Sequence, residues 1–148
     1  MNRRSLTLQA AAAALALSAG LAQAQNTIKL AVLQELSGAG ATAGTNAKNG
    51  AMLAIKEINE AGGILGKKIE ATVADTQSNP GVAKGLATKA VDDNVFAVIG
   101  PTFSGSIMVS MAETKRAEIP NFTGGEAAAI TQQGNPYIFR TSLSLIHI

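Results

Sequence analysis

The chain has 148 residues, enough for one ordinary domain, and is 47% hydrophobic against 15% charged, which excludes a disordered tail. It contains no Cys and no Trp, and its one His, His147, stands next to the last residue. Disulfide frameworks, cysteine-ligated metal centres and multi-histidine metal sites are therefore excluded. The formal charge is +2, but Arg3 and Arg4 belong to the leader described next, and without them ten basic residues face ten acidic ones. Lys67-Lys68 and Lys115-Arg116 are then the only basic pairs, so nothing concentrates the positive charge that a nucleic-acid partner requires.

Residues 1–24 read as a secretory signal peptide. Met1-Asn2-Arg3-Arg4 is a positive start, Leu6 to Leu21 an Ala/Leu-rich run, and Ala22-Gln23-Ala24 supplies the small residues of a cleavage site before Gln25. A membrane anchor is the competing reading, but it needs about 20 apolar residues, and this run is shorter and ends at polar Gln25-Asn26. The mature product is expected to be exported, soluble and periplasmic.

Strand and helix then alternate. Ile28–Leu33 is a β-rich run, followed by a flexible stretch from Ser37 to Gly44. Ala47–Ala61 has helical spacing, with Ala51, Ala54, Ile55 and Ile58 on one face, and stops at Gly62-Gly63. Ile69–Val73 alternates as a strand with one exposed face. Asn79-Pro80 opens a second helix, continued by Ala83, Leu86, Ala87 and Ala90. Val95–Ile99 is unbroken apolar sequence, expected as a central strand buried on both faces. Ser104–Arg116 is a third helix with Ile107, Met108, Met111 and Ala112 inward, Ile119–Thr123 a short fourth strand, Ala127–Thr131 one helical turn, and Tyr137–Arg140 a fifth strand. Such alternation predicts an α/β fold with a mostly parallel sheet and ligands bound beyond the carboxyl ends of its strands.

That rule selects four loops: 34–45, 75–79, 100–106 and 123–127. The richest is Gly100-Pro101-Thr102-Phe103-Ser104-Gly105-Ser106, which enters the third helix. The first turn of a helix presents free N–H groups and the positive end of the dipole, so a small carboxylate can be held there by neutral donors. Gly105 allows close approach of a ligand; Ser104 as a simple N-cap is the bland alternative. Thr123-Gly124-Gly125-Glu126-Ala127 exposes backbone groups, with Glu126 either an ammonium ligand or an ordinary surface carboxylate. Ser37–Gly44 is either a wall of the cleft or a surface loop.

Enzyme motifs fail in detail. Gly38-x-Gly40-x-x-Ala43 matches a relaxed dinucleotide fingerprint, but Asp75 lies 35 residues beyond Gly40 where about 20 are required. Gly62–Lys68 follows a helix rather than a strand, and Thr102 replaces the first Gly of a nucleophile elbow around Ser104. Neither catalysis nor a cofactor is expected.

Taken in order, these pieces resemble the leucine/isoleucine/valine-binding family of ABC-transporter substrate-binding proteins. The matching stretches are Ile28–Leu33 with Leu36-Ser37-Gly38, Asn49-Gly50-Ala51, Ala54–Gly66, Ala74–Pro80, Val98–Pro101, Ile119-Pro120-Asn121 and Asn135–Thr141. The resemblance implies a type I periplasmic-binding fold of two α/β lobes joined by three crossing strands. Residues 25–141 would supply the N-terminal lobe, and 142–148 would be a truncated or aberrant tail, because Leu145–Ile148 departs from the family. A free-standing half lobe is the alternative. It further implies that Ser104 meets a ligand carboxylate and that Gly125 and Ala127 flank it; Ala127 lacks the hydroxyl that leucine-binding members often use there. The expected ligand-binding residues are thus Ser104, Gly105, Thr123, Gly124, Gly125 and Ala127. The implied function is capture of an amino acid of branched-chain type, or a similar small carboxylate, for an ABC permease in the inner membrane. The same fold also serves as the ligand-sensing ectodomain of receptors, and an exported α/β enzyme is a third class.

Overall fold

Alternation of apolar residues, read from Thr27 onward, becomes a parallel sheet in the computed structural model, which describes residues 27–142. The expected leader 1–24 lies outside the described residues, as does the expected tail apart from Ser142. Strand β1 (Thr27–Gln34) leads through a short 3-10 turn (Gly38–Gly40) into helix α1 (Ala41–Glu60). Strand β2 (Lys68–Asp75), helix α2 (Pro80–Asp92), strand β3 (Ala97–Ile99) and helix α3 (Ser104–Arg116) follow. Strand β4 (Asn121–Thr123), a second 3-10 turn (Ala128–Ile130) and strand β5 (Ile138–Arg140) complete the described chain. The sheet order is β2-β1-β3-β4-β5, and every pairing is parallel. β1 and β2 are in register along their whole length, from Thr27 opposite Lys68 to Gln34 opposite Asp75.

Because side chains alternate across a strand, β1 feeds two cores. Ile28, Leu30 and Val32 pack with Ala51, Met52 and Ile55 of α1 and with Ile69 of β2. Ala31 and Leu33 pack on the other face with Ala87 and Ala90 of α2, together with Val95, Val98 and Ile119. A third cluster joins Ile107 and Met111 of α3 to Ile130 and Ile138. Thus α1 covers one face, while α2 and α3 lie against the other and pack on each other. The chain leaves β1 toward β2 and returns to β3 on the opposite side of β1, so the strand order reverses between β1 and β3. A crevice opens at such a switch point, beyond the carboxyl ends of the two strands.

Four elements differ from the sequence reading. The stretch from Ser37 to Gly44 is not a flexible loop: it turns helical at Gly38, and Gly44 is buried against Glu35. On α1, Ala54 and Ile58 face outward, and the inward stripe passes through Gly44, Ala51, Met52 and Ile55. Phe96 is 68% exposed: it stands just before β3, with its N–H on the Lys29 carbonyl and its ring outside the core. On α3, Ala112 faces outward and Ser106, Ser110 and Thr114 are buried instead. Ser110 and Thr114 are buried without penalty because each hydroxyl donates to a carbonyl one turn back, that of Ile107 and Met111 respectively. No helix among the described residues is long and apolar enough to cross a membrane.

Candidate functional site

At the switch point the segment from Gly100 to Phe103 links β3 to α3, and side chains from both neighbouring strands grip it. From the end of β1, Gln34 Oε1 accepts the Thr102 hydroxyl at 2.7 Å. Glu35 accepts two backbone amides, Thr102 N–H on Oε2 at 3.0 Å and Phe103 N–H on Oε1 at 3.3 Å. From β4, the Asn121 amide donates to the carbonyls of Val98 at 3.3 Å and Gly100 at 2.6 Å. Thr123 Oγ1 donates to the Pro101 carbonyl at 2.7 Å. All four side chains are buried. Buried polar groups persist where they are hydrogen-bonded, and here their partners are the end of β3 and the loop that follows it: backbone groups for Glu35, Asn121 and Thr123, and the Thr102 hydroxyl for Gln34.

That loop delivers Ser104 as the first residue of α3. The residue in the N-cap position is Phe103, which contributes no side-chain cap. Ser104 therefore does not cap its own helix. Its Oγ instead accepts the Ala127 N–H at 3.2 Å from across the crevice, which leaves its proton available to an acceptor. Ser104, Gly105 and Ser106 are the first three residues of α3, whose amides have no intrahelical carbonyl to reach, and intrahelical bonding starts with Ile107 N–H to the Phe103 carbonyl at 3.0 Å. A concavity of about 440 Å³ lies in front of this helix mouth, lined by Ala43, Thr102, Phe103, Ser104, Gly105, Gly124 and Glu126. None of these lining residues is cationic. A second hollow of about 400 Å³ adjoins it over Thr102 and Gly124 and reaches Thr141. A larger depression of about 740 Å³ lies at the opposite ends of the strands, around Ile28, Ile64, Leu65 and Phe96. It holds no helix N-terminus and none of the residues expected to bind ligand.

Four of the six expected residues are brought to this crevice in two roles. Ser104, Gly105 and Gly124 line the concavity, and Ala127 sends its amide to Ser104. Thr123 is buried, with its hydroxyl spent on Pro101 and its carbonyl on Thr141. Gly125 is buried as well, and its carbonyl accepts the Ser142 hydroxyl at 2.9 Å. A Cβ on Gly125 would lie 2.3 Å from Ile107 Cδ1 and 2.7 Å from Ile130 Cδ1. Gly125 thus has no room for a side chain, and Thr123 braces the loop. Glu126 is exposed at the rim, where Arg140 donates to its carbonyl at 2.7 Å. Gln34, Glu35 and Asn121 were not singled out in the sequence. Their signal was polarity in apolar surroundings: a Gln-Glu pair ending a β-rich run, and an Asn within a short apolar strand.

The neighbouring crossover is tied by a second carboxylate. Asp75 Oδ1 accepts the amides of Leu36 at 2.8 Å, Ser37 at 3.1 Å and Gln77 at 2.8 Å, and Oδ2 takes the Ser37 hydroxyl at 2.6 Å. The Ser37 hydroxyl foremost, then the Gln77 amide, hold the Asp75 carboxyl below the ordinary carboxylate range, against an opposing push from burial. Among the described residues no cluster of three or more His, Cys, Asp or Glu converges to hold a metal ion.

Comparison with known proteins fits this geometry. A family model described as periplasmic binding protein matches residues 27–144. The leucine-, isoleucine-, valine-, threonine- and alanine-binding protein of Pseudomonas aeruginosa is 34% identical over 132 residues, 88% of this chain and 35% of that protein. The leucine-specific-binding protein of Salmonella typhimurium is 36% identical over 143 residues, 96% of this chain and 38% of that protein. Among solved structures, the branched-chain amino acid transporter substrate binding protein LivJ from Streptococcus pneumoniae, in complex with isoleucine, superposes with a TM-score of 0.77 at 36% identity. That match covers 80% of this chain and 34% of LivJ. A solute binding protein of an ABC transporter from Rhodopseudomonas palustris, in complex with 3,4-dihydroxybenzoic acid, superposes at 0.74 with 26% identity, over 81% of this chain and 33% of that one. The chain therefore spans about a third of the length of these relatives.

Proposed function

Because the chain belongs to the periplasmic binding protein family, as a parallel-sheet lobe of its type I fold, we propose that it captures a small carboxylate outside the cytoplasm for an ABC importer. The ligand class is an amino acid of branched-chain type or a close analogue, delivered to a permease in the inner membrane. The observation that carries this reading is the uncapped mouth of α3. There Ser104 and Gly105, at a helix start without a side-chain cap, line a concavity free of cationic side chains. A carboxylate there receives charge-assisted hydrogen bonds from neutral donors and sits at the positive end of the helix dipole. The relatives' names support the class: leucine-specific binding in one, isoleucine bound in another.

In the proposed working cycle this lobe is one wall of a two-lobed clamp, and ligand shifts an open–closed equilibrium by binding the closed form better. The test is titration calorimetry of the complete two-lobed protein with L-leucine, L-isoleucine, L-valine and the matching deaminated acids. Ser104→Ala removes one hydrogen bond to a charged group, worth about 1–3 kcal/mol, or roughly 5- to 150-fold in Kd. An unchanged Kd removes Ser104 from the site. Loss of affinity for the amino acids but not for the deaminated acids relocates the carboxylate.

A further inference from the structure

We propose that Glu35 is a positioning residue for ligand binding: its carboxylate occupies the amides of Thr102 and Phe103 and thereby aims the Ser104 mouth of α3 at the crevice. The inference rests on the reading of that mouth as the carboxylate site, and adds a residue that the sequence comparison with the family does not supply. Glu35 is fully buried, yet it forms no ion pair among the described residues. A buried carboxylate without a counter-charge costs several kcal/mol unless dipoles replace the lost water. Here the replacement is two successive backbone amides, one on each carboxylate oxygen.

The arrangement is specific to the switch point. Glu35 follows β1, Thr102 and Phe103 follow β3, and the contact spans 67 residues of sequence. The helix that begins at Gly38–Gly40 closes over Glu35 from above, and Gly44 presses on its backbone. The acid therefore has one place to go. With Thr102 and Phe103 amides taken by this internal anion, a ligand carboxylate is left the next donors along the chain, those of Ser104 and Gly105. A neutral, purely packing role for residue 35 would be served by an apolar side chain at lower cost. Retaining the acid is explained by the direction in which it pulls the loop.

The experiment uses the 15N-labelled 148-residue chain, as wild type, Glu35→Gln and Glu35→Asp, titrated with sodium acetate at constant ionic strength. Amide shifts report the mouth, and hydrogen exchange reports the two amides bonded to Glu35. Expected for the wild type are acetate-dependent shifts at Ser104 and Gly105 and slow exchange at Thr102 and Phe103. Glu35→Gln, which keeps the shape but replaces one acceptor oxygen by an NH2 group, is expected to speed exchange at Thr102 and Phe103 at least tenfold. It should also cut the acetate response at Ser104 and Gly105 at least threefold, while amides of β2 and α2 stay unchanged. Glu35→Asp, which keeps the charge, should recover part of the acetate response. Equal acetate response and equal exchange in wild type and Glu35→Gln overturn the proposal. Should Glu35→Gln fail to fold, Glu35→Asp decides: exchange at Thr102 and Phe103 and an acetate response both equal to wild type overturn the proposal, and faster exchange with a weakened acetate response upholds it. A wild type whose 102–106 amides ignore acetate but whose Thr102 and Phe103 are protected instead refutes the ligand site itself.

Discussion

Two glycines of α1 separate helix propensity from packing. Gly44 and Gly50 lie six residues apart in the same helix, and alanine is favoured over glycine in a helix interior by about 0.8–1.0 kcal/mol. At Gly50 a Cβ would meet nothing within 4 Å. Gly50→Ala is therefore expected to stabilise the protein by about 0.5–1 kcal/mol. At Gly44 the added Cβ would lie 2.1 Å from the Glu35 carbonyl oxygen and 2.7 Å from Glu35 C and N. Every one of those atoms is backbone, so no rotamer change relieves the clash. The start of α1 must retreat by more than an ångström, or the segment holding Glu35 must. Overpacking of a tight contact costs about 1–3 kcal/mol and occasionally more. For a backbone-to-backbone clash we expect the upper end, about 3 kcal/mol net of the helix gain. Urea unfolding reads both signs in one experiment. With a slope of roughly 1–3 kcal/mol per molar, the Gly44→Ala midpoint should fall by roughly 1–3 M while that of Gly50→Ala rises. A Gly44→Ala protein as stable as wild type would refute the placement of α1 on Glu35.

Two further outcomes follow from the carboxylates and the uncapped helix. Since the folded-state carboxyl of Asp75 titrates below the unfolded value of about 3.9, its contribution to stability is present above that pH and is lost as pH falls through the lower folded value. Urea midpoints of wild type and Asp75→Asn should differ near pH 6 and converge in the acid limb; a difference constant down to pH 2 rejects the linkage. Phe103 already has extended backbone dihedrals, φ −78° and ψ 127°, suited to an N-cap. Phe103→Asp should therefore cap α3 from within and compete with any ligand carboxylate, lowering affinity roughly tenfold or more by like-charge repulsion. Calorimetry with the same amino acids checks this, and unimpaired binding counts against the helix mouth as the site.

Much of the fold was legible because it is written in local patterns. The Asn79-Pro80 start of α2 is a direct case: Asn79 Oδ1 accepts the amides of Gly81 at 2.8 Å and Val82 at 3.3 Å, and the helix begins at Pro80. Helix α3 has the bounds read from sequence, Ser104 to Arg116. What failed was decided by contacts distant in sequence. Glycine-rich residues 38–44 read as a loop because glycine is a poor helix former, yet Gly44 is needed where α1 crosses the Glu35 backbone. Phe96 reads as core from its apolar neighbours, but its backbone pairs only through one amide to Lys29 and its ring stays outside. At the site, the loop and its serine were visible as composition and spacing. The struts Gln34, Glu35 and Asn121 were not, because their partners lie on the β3–α3 crossover, distant in sequence: backbone atoms for Glu35 and Asn121, and the Thr102 hydroxyl for Gln34.

The same carboxylate-on-amide pattern leaves one helix mouth without an internal partner, the mouth proposed above as the ligand site. Along the carboxyl edge of the sheet the chain fills its own donors. Asp75 takes the amides of Leu36, Ser37 and Gln77, and the Ser78 hydroxyl oxygen takes that of Gly40. Asn79 caps α2, and α1 is entered through a 3-10 turn whose Gly38 carbonyl already accepts the Ala41 amide. Glu35 takes Thr102 and Phe103, and in the next loop Gly125 and Ala127 donate to Thr123 and Ser104. Among the described α-helices, only α3 begins with neither a side-chain cap nor a preceding turn. A Ser, Asp or Asn in place of Phe103 would supply a cap worth about 1 kcal/mol, and the sequence forgoes it. Such forgone stability is expected at a binding site, where donors kept unsatisfied in the free protein are the ones a ligand can claim.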